Sequence, residues 1–333
     1  MTNRKQSDLD VQVIGAGVCG LTTAISLAES GLTVAIRTAG TGTETTSAAA
    51  GAIWSPYLVG PEDRVQVWGR VGFEALIPLA DDPDTGIHLA SGIEAARGGT
   101  EPPPYWADVV RDFRLCDATE LPDGFAEGWR FTAPVVNMPS YLGYLLSRFE
   151  RAGGKLELSP VTSLAEAVAA APVTVNCTGI GARDLVPDPA VVPVRGQSVV
   201  VVNPGIKEFF IDRSEPRGEN HDERTYMFPH GETILLGGTA EEGDWDKTPK
   251  PHIAERIVRD CATIDPRLHG AEILEHRVGL RPSRPEVRLE SEALADGQVL
   301  WHNYGHGGAG VTLSWGCARE ITDAILSRQV SLG

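Results

Sequence analysis

The strand-like run Val11-Gln12-Val13-Ile14 leads without a break into the turn Gly15-Ala16-Gly17-Val18-Cys19-Gly20 and then into the helical stretch LTTAISLAES. This succession constrains the fold more than any other feature of the chain. A G-x-G-x-x-G turn between a strand and a helix opens a dinucleotide-binding βαβ unit, and each glycine has a mechanical reason. Gly15 permits the tight turn, Gly17 lets backbone approach a pyrophosphate, and Gly20 lets helix and strand pack closely. The helix N-terminus adds partial positive charge. Gly31 and the β-branched run LTVAI complete the unit. The motif does not distinguish FAD from NAD or NADP. Where an acidic residue usually grips a ribose hydroxyl, this chain has Arg37-Thr38. An arginine there suits the 2′-phosphate of NADP, so an NADP-dependent oxidoreductase stands beside the reading of a merely solvated arginine.

Beyond this unit the small, hydroxyl-rich segment TAGTGTETTSAAAG reads as a loop, and EDRVQVWGRVGFEAL as a helix. Residues 82–137 read as short strands broken by prolines, among them Pro102, Pro103 and Pro104, so a second sheet region is expected to be inserted here. SYLGYLLSRFERAGG reads as a helix ended by Gly153-Gly154, and PVTVNCTG as a buried strand returning to the first unit. Strand patterns dominate from Val191 to Gly238. The charged stretch DRSEPRGENHDER interrupts them as a mobile loop suited to act as a lid. A helix over 252–264, the strands EILEHRVGLRP and QVLWHNYG, and a helix from about Thr312 to Ser327 finish the chain. The fold class is therefore α/β, with a Rossmann-like domain (1–80, 139–190, 298–333) interleaved with an α+β domain (81–138, 191–297) on a mixed, largely antiparallel sheet.

With 29 basic against 45 acidic residues the chain carries a net charge of −16, which disfavours nucleic acid and anionic membranes as partners. The five cysteines include no C-x-x-C pair, so neither a disulfide frame nor a zinc site is expected. His302 and His306 lie four apart without a third ligand at a useful spacing and read as structural, so no metal is expected. No leader-like apolar stretch, run of about 18 apolar residues or S-K-L ending is present, which points to the cytoplasm.

The motifs together resemble the D-amino acid oxidase family along nearly the whole chain. VQVIGAGVCGLTTAISLAESG is similar to its FAD fingerprint, TTSAAAG with W-x-P-Y to its second cofactor loop, and VNCTG to the strand closing over the cofactor. RGQ, TYMFPHG, LLGGT, VGLRPSRPEVRLE and HNYGHGGAGVTLSWGCA follow in the family's order. The resemblance implies non-covalent FAD held by Gly15, Ala16, Gly17, Val18, Cys19, Gly20, Arg37, Thr38, Thr45, Thr46, Ser47, Gly51, Val161, Cys177, Thr178, Gly179, Arg281, Gly307, Gly308, Gly310, Val311 and Thr312.

It further implies a substrate site in which Arg281 binds the α-carboxylate, Tyr226 bonds the same group and the Gly308 carbonyl holds the amine. Arg284 and Arg288 are better suited to internal pairing. The implied reaction is oxidation of a D-amino acid by hydride transfer from Cα to flavin N5. Oxygen is the electron acceptor, and 2-oxo acid, ammonia and hydrogen peroxide are the products. The family often has a second active-site tyrosine upstream of Tyr226, but this chain reads HDER there. Related D-aspartate oxidases carry an arginine just after L-G-G-T, where this chain has Ala240, so neutral substrates are expected. A glycine or other amine oxidase, a D-aspartate oxidase and a flavin-binding protein without turnover remain alternatives, and a homodimer is left open.

Overall fold

The computed structural model describes residues 9–56, 59–98, 102–214, 223–294 and 297–332, excepting the side chains of 223–224 and 328–332. In chain order the elements are β1 (Val11–Ile14), α1 (Val18–Glu29), β2 (Val34–Thr38), α2 (Glu62–Leu76), β3 (Ile87–Ala96), β4 (Arg111–Leu115) and β5 (Glu127–Val136). Then come α3 (Met138–Arg151), β6 (Lys155–Leu158), α4 (Leu164–Val168), β7 (Val173–Asn176), α5 (Ala182–Leu185), β8 (Val192–Val202) and β9 (Phe209–Asp212). The chain closes with β10 (Glu223–His230), β11 (Thr233–Thr239), β12 (Glu241–Glu242), α6 (Pro251–Ile264), β13 (Ile273–Ala293), β14 (Val299–His306) and α7 (Gly310–Leu332).

The fourteen strands of the described residues join in one sheet, ordered β4-β5-β3-β9-β10-β11-β8-β13-β14-β7-β1-β2-β6, with β12 paired to β8. From β14 to β6 every pairing is parallel, as βαβ connections require. The other side is antiparallel except for β3 with β9. The mixed α/β class read from the sequence holds. On the parallel side α1 packs against α7 and α3, burying Leu21, Ala24, Ile25 and Leu27. On the antiparallel side α6 covers one face with Ile253, Ile257, Val258 and Cys261.

Two differences from the sequence reading have physical causes. Residues 82–137 hold two ten-residue strands, β3 and β5, paired along their whole length, because the proline run lies in the connection between them. The strand expected to stop at Pro282 continues to Ala293 as β13. It changes partner on the way, pairing with β8 up to Ser283 and with β14 at Ser283 and again from Arg288, with a register shift between those two residues. Pro282 and Pro285 lack the N–H a ladder needs, and they stand where the partner changes. One bent strand thus welds the two halves of the sheet. Most of the segment expected to serve as a lid, residues 215–222, lies outside the described residues.

Helices α2 and α7 touch through glycines. A Cβ on Gly72 would stand 2.0 Å from the Thr312 carbonyl oxygen, and one on Gly316 would stand 2.4 Å from Trp68 backbone. Gly316→Ala therefore has to push the helices apart, an overpacking cost of about 1–3 kcal/mol. We expect a thermal midpoint several degrees below wild type by calorimetry; an unchanged midpoint would show that the contact yields freely.

Candidate active site

The glycine turn is built as the motif requires. Gly15 has φ +102°, and a Cβ on it would lie 2.6 Å from the Cys177 carbonyl oxygen; on Gly20 it would lie 2.0 Å from the Gly15 carbonyl oxygen. Side chains are excluded at both positions. Gly17 caps α1 with no side-chain bond, and the Val18 N–H instead donates to Ser47 Oγ at 3.0 Å, which brings the second cofactor loop to the helix end. A second helix end arrives beside it. A Cβ on Gly310 would lie 3.7 Å from Val18 and 3.9 Å from Cys19 Sγ, so the N-termini of α1 and α7 converge. Two converging helix ends with glycine at each form a ready anion site.

Around these ends stand the other residues expected at the cofactor. Ala16, Val18 and Val311 are buried, and Cys177, buried at the end of β7, has its thiol pushed up to about 12 by desolvation. Thr178 donates to Asn176 Oδ1, and Gly179 sits against Pro282. Thr45 is tied to the Gly42 carbonyl, while Thr46 and Ala49 lie on Gly279 of β13. Gly51 lies against Phe228, and His230 Nε2 is 3.2 Å from the Gly51 carbonyl oxygen. The Thr312 hydroxyl is spent on Ser55, donating to its carbonyl at 2.9 Å, and the Gly307 N–H donates to the Pro282 carbonyl at 3.0 Å. Neither of these two groups is free to face a flavin, whereas Gly308 is exposed.

Arg37 is not a solvated side chain. Its guanidinium binds Glu166 at 2.6 Å, Ser159 Oγ at 3.0 Å and the Pro160 carbonyl at 3.4 Å, holding the connection that contains Val161 against the end of β2. A cation already matched by a carboxylate has little to offer a 2′-phosphate, which removes the ground for an NADP site. Thr38 is buried, and its hydroxyl donates to the Gly40 carbonyl.

Three arginines crowd the stretch after Gly279, and their surroundings separate them. Arg284 Nε binds Asp188 at 3.1 Å, and Arg288 binds Glu290, Glu292 and Tyr304 Oη. Arg281, half-buried, has no carboxylate partner among the described residues and donates only to the Thr239 carbonyl oxygen at 2.9 Å. Tyr226 reaches the same place. Its ring lies on Gly237, and a Cβ on Gly238 would stand 2.6 Å from its hydroxyl. The phenol and the unmatched guanidinium therefore meet at consecutive residues of β11. The Gly307 bond to Pro282, the residue after Arg281, brings Gly308 to the same part of β13.

The turn, the converging helix ends and the unmatched arginine are matched by likeness to known proteins. Residues 10–324 fit the model of the DAO family, described as FAD dependent oxidoreductases. The chain belongs to that family. A D-amino-acid oxidase of Rubrobacter xylanophilus is 51% identical over 92% of this chain and 93% of the relative, and one of Streptomyces coelicolor is 45% identical over 95% and 96%. A human D-aspartate oxidase is 36% identical over 93% and 92%. A glycine oxidase structure from Bacillus cereus shares the fold, with TM-score 0.77 at 20% identity over 96% of this chain and 95% of its own. FAD is the cofactor, and the residues present fit it: the turn excludes a Cβ at Gly15 and Gly20, and both helix ends face one place.

Sequence reasoning gave no role to Gly196, Gly237 and Gly238. A Cβ on Gly196 would stand 2.4 Å from the Arg281 guanidinium, and one on Gly237 would enter the Tyr226 ring. The available signal was glycine inside strands, which weakens them unless something must approach closely.

The two histidines expected to be structural are engaged in the protein. His302 Nε2 lies 3.0 Å from Glu292, and His306 Nδ1 lies 3.6 Å from Cys19 Sγ. Burial lowers His306 to about 4 from 6.5. Its imidazole is then neutral in the folded protein while the unfolded chain takes up a proton below 6.5. This contribution to stability is present above 6.5 and is lost as pH falls through the window down to about 4. The most it can amount to is roughly 3 kcal/mol. Urea unfolding at pH 7 and pH 4.5 should show a smaller drop for His306→Asn than for wild type; equal drops would refute the assignment.

Proposed function

We propose that this protein is a D-amino-acid oxidase of neutral D-amino acids, using oxygen and releasing 2-oxo acid, ammonia and hydrogen peroxide. The observation that carries this reading is Arg281. A half-buried guanidinium without an internal carboxylate requires an anion from outside, and its planar fork matches an α-carboxylate. Tyr226 adds a hydroxyl at the same point, fixing the headgroup by two contacts. The Gly308 carbonyl supplies an acceptor for the amine. With carboxylate and amine both fixed, only one enantiomer turns its Cα–H toward the cofactor. Bound FAD supplies the chemistry itself, taking a hydride and passing electrons to oxygen.

The side chain preference follows from charge. Ala240, directly after the Thr239 carbonyl that Arg281 binds, brings no cation toward a second carboxylate, so D-aspartate would have to bury an unmatched charge. Two relatives named D-amino-acid oxidase, at 51% and 45%, stand above the D-aspartate oxidase at 36%, and a third, at 35%, stands level with it.

Anaerobic D-alanine should bleach the visible flavin spectrum of the purified protein and L-alanine should leave it intact; equal bleaching by both defeats the reading. In air, peroxide should form faster from D-alanine than from D-aspartate. Arg281→Ala should lower kcat/KM for D-alanine by about a hundredfold or more with FAD still bound, the loss expected when a charge-assisted contact goes. Gly196→Ala should act in the same direction by displacing the guanidinium, and normal kinetics in either variant would remove Arg281 from the site.

A further inference from the structure

The sheet carries a second, fully buried arginine beside Arg281 that takes no part in holding the amino acid headgroup. Neighbouring residues of a strand point to opposite faces, and directly paired residues of adjacent strands point to the same one. Arg281 pairs with Val194 of β8, whereas Arg195 pairs with Leu280 of β13 on one side and with Glu241 of β12 on the other. The two arginines therefore project from opposite faces of the sheet. All three nitrogens of the Arg195 guanidinium are engaged: Nη1 with Glu241, Nη2 with Gln197 Oε1 and the Thr248 carbonyl at 2.9 Å each, and Nε with the Asp246 carbonyl at 2.6 Å. Lys250 closes the arrangement, donating its N–H to Gln197 Oε1 at 2.9 Å and Nζ to Glu241 at 3.2 Å. The chain from Thr239 to Lys250 is thus wrapped around one buried guanidinium. Thr239 joins this network to Arg281. Its hydroxyl accepts from the Gln197 N–H at 3.0 Å and donates to Glu241 Oε2 at 3.3 Å, while its carbonyl accepts from Arg281 Nη1 at 2.9 Å.

We propose that Arg195 is a positioning residue for the substrate: it fixes the segment 239–250 so that the Thr239 carbonyl holds Arg281 in the pose that receives the α-carboxylate. The proposal rests on the D-amino-acid oxidase reading and deepens it. An arginine without a carboxylate partner has a long stem and many rotamers, and carboxylate binding by its planar fork requires one of them. The hydrogen bond to Thr239 selects that rotamer only if its acceptor is itself fixed. Thr239 ends β11, and β12 after it has two residues, so the ladder gives this corner little support. Side chains supply the rest. The Arg195 fork reaches Glu241, Gln197 and two carbonyls of the same segment at once, which a lysine ammonium, keeping the charge without the fork, does not reproduce.

The test is a double-mutant cycle on the FAD-loaded enzyme, read as kcat/KM for D-alanine and as the inhibition constant of propionate, which keeps the substrate carboxylate and lacks the amine. Arg195→Lys should lower kcat/KM about tenfold, most of it through KM, and weaken propionate in the same proportion. In an Arg281→Lys background the same change should cost about twofold or less, because the group through which it acts is gone. Unchanged kinetics in Arg195→Lys with FAD retained, or an equal loss in both backgrounds, overturns the proposal. Should Arg195→Lys fail to fold, Thr239 decides. Thr239→Val removes the linking hydroxyl and should raise KM and the propionate constant about threefold or more, whereas Thr239→Ser keeps it and should behave as wild type; the two variants behaving alike overturns the proposal. Failure here is distinct from failure of the underlying reading, which peroxide from D-alanine with wild type and the loss in Arg281→Lys alone report separately.

Discussion

A half-buried guanidinium left without an internal counter-charge is the constraint around which the substrate side of this molecule is arranged. Proteins normally match such a group, and this chain does so for Arg284 with Asp188 and for Arg288 with Glu290 and Glu292. Arg281 receives only the Thr239 carbonyl. Leaving it unmatched costs stability, and in the proposed mechanism it is what gives the site its affinity for a carboxylate. The mechanism proposed above depends on that single asymmetry among three neighbouring arginines.

Holding the unmatched group in place falls to backbone geometry. Arg281 sits just before β13 leaves β8 for β14, so one strand carries it from the antiparallel side to the parallel side, where the glycine turn lies. Close approach then requires missing side chains. Gly196 makes room for the guanidinium, Gly237 and Gly238 for Tyr226, and Gly279 for the loop of Thr46–Ala49. Each of these glycines weakens its strand, and each position is where a functional group or cofactor loop crosses the sheet.

Much of this was legible in the sequence, for identifiable reasons. The first βαβ unit follows from local rules, because strand, glycine turn and helix are adjacent in the chain. The helices read from periodicity in EDRVQVWGRVGFEAL, in SYLGYLLSRFERAGG before Gly153-Gly154, and over 252–264 appear as α2 (Glu62–Leu76), α3 (Met138–Arg151) and α6 (Pro251–Ile264). Arg281, Tyr226 and the glycines before α7 were proposed through ordered motifs rather than through spacing. What escaped was non-local. The full course of β13 depends on a change of partner that no window of its own sequence encodes, and the Arg37–Glu166 pair joins residues 129 apart.

The pattern of charge resolves an apparent conflict. A chain with net charge −16 must hold an anionic cofactor and an anionic headgroup, which its overall field opposes. At physiological ionic strength that field decays over roughly 8 Å, so short-range arrangement decides what binds. The two converging helix ends supply positive potential at the turn without any cationic side chain, and Arg281 supplies it at the proposed substrate position. Arg37, the one cation at the end of β2, is held by Glu166 and kept out of that arrangement. Anion binding here is local in origin, confined to helix ends and one guanidinium, and the remaining surface is free to stay acidic.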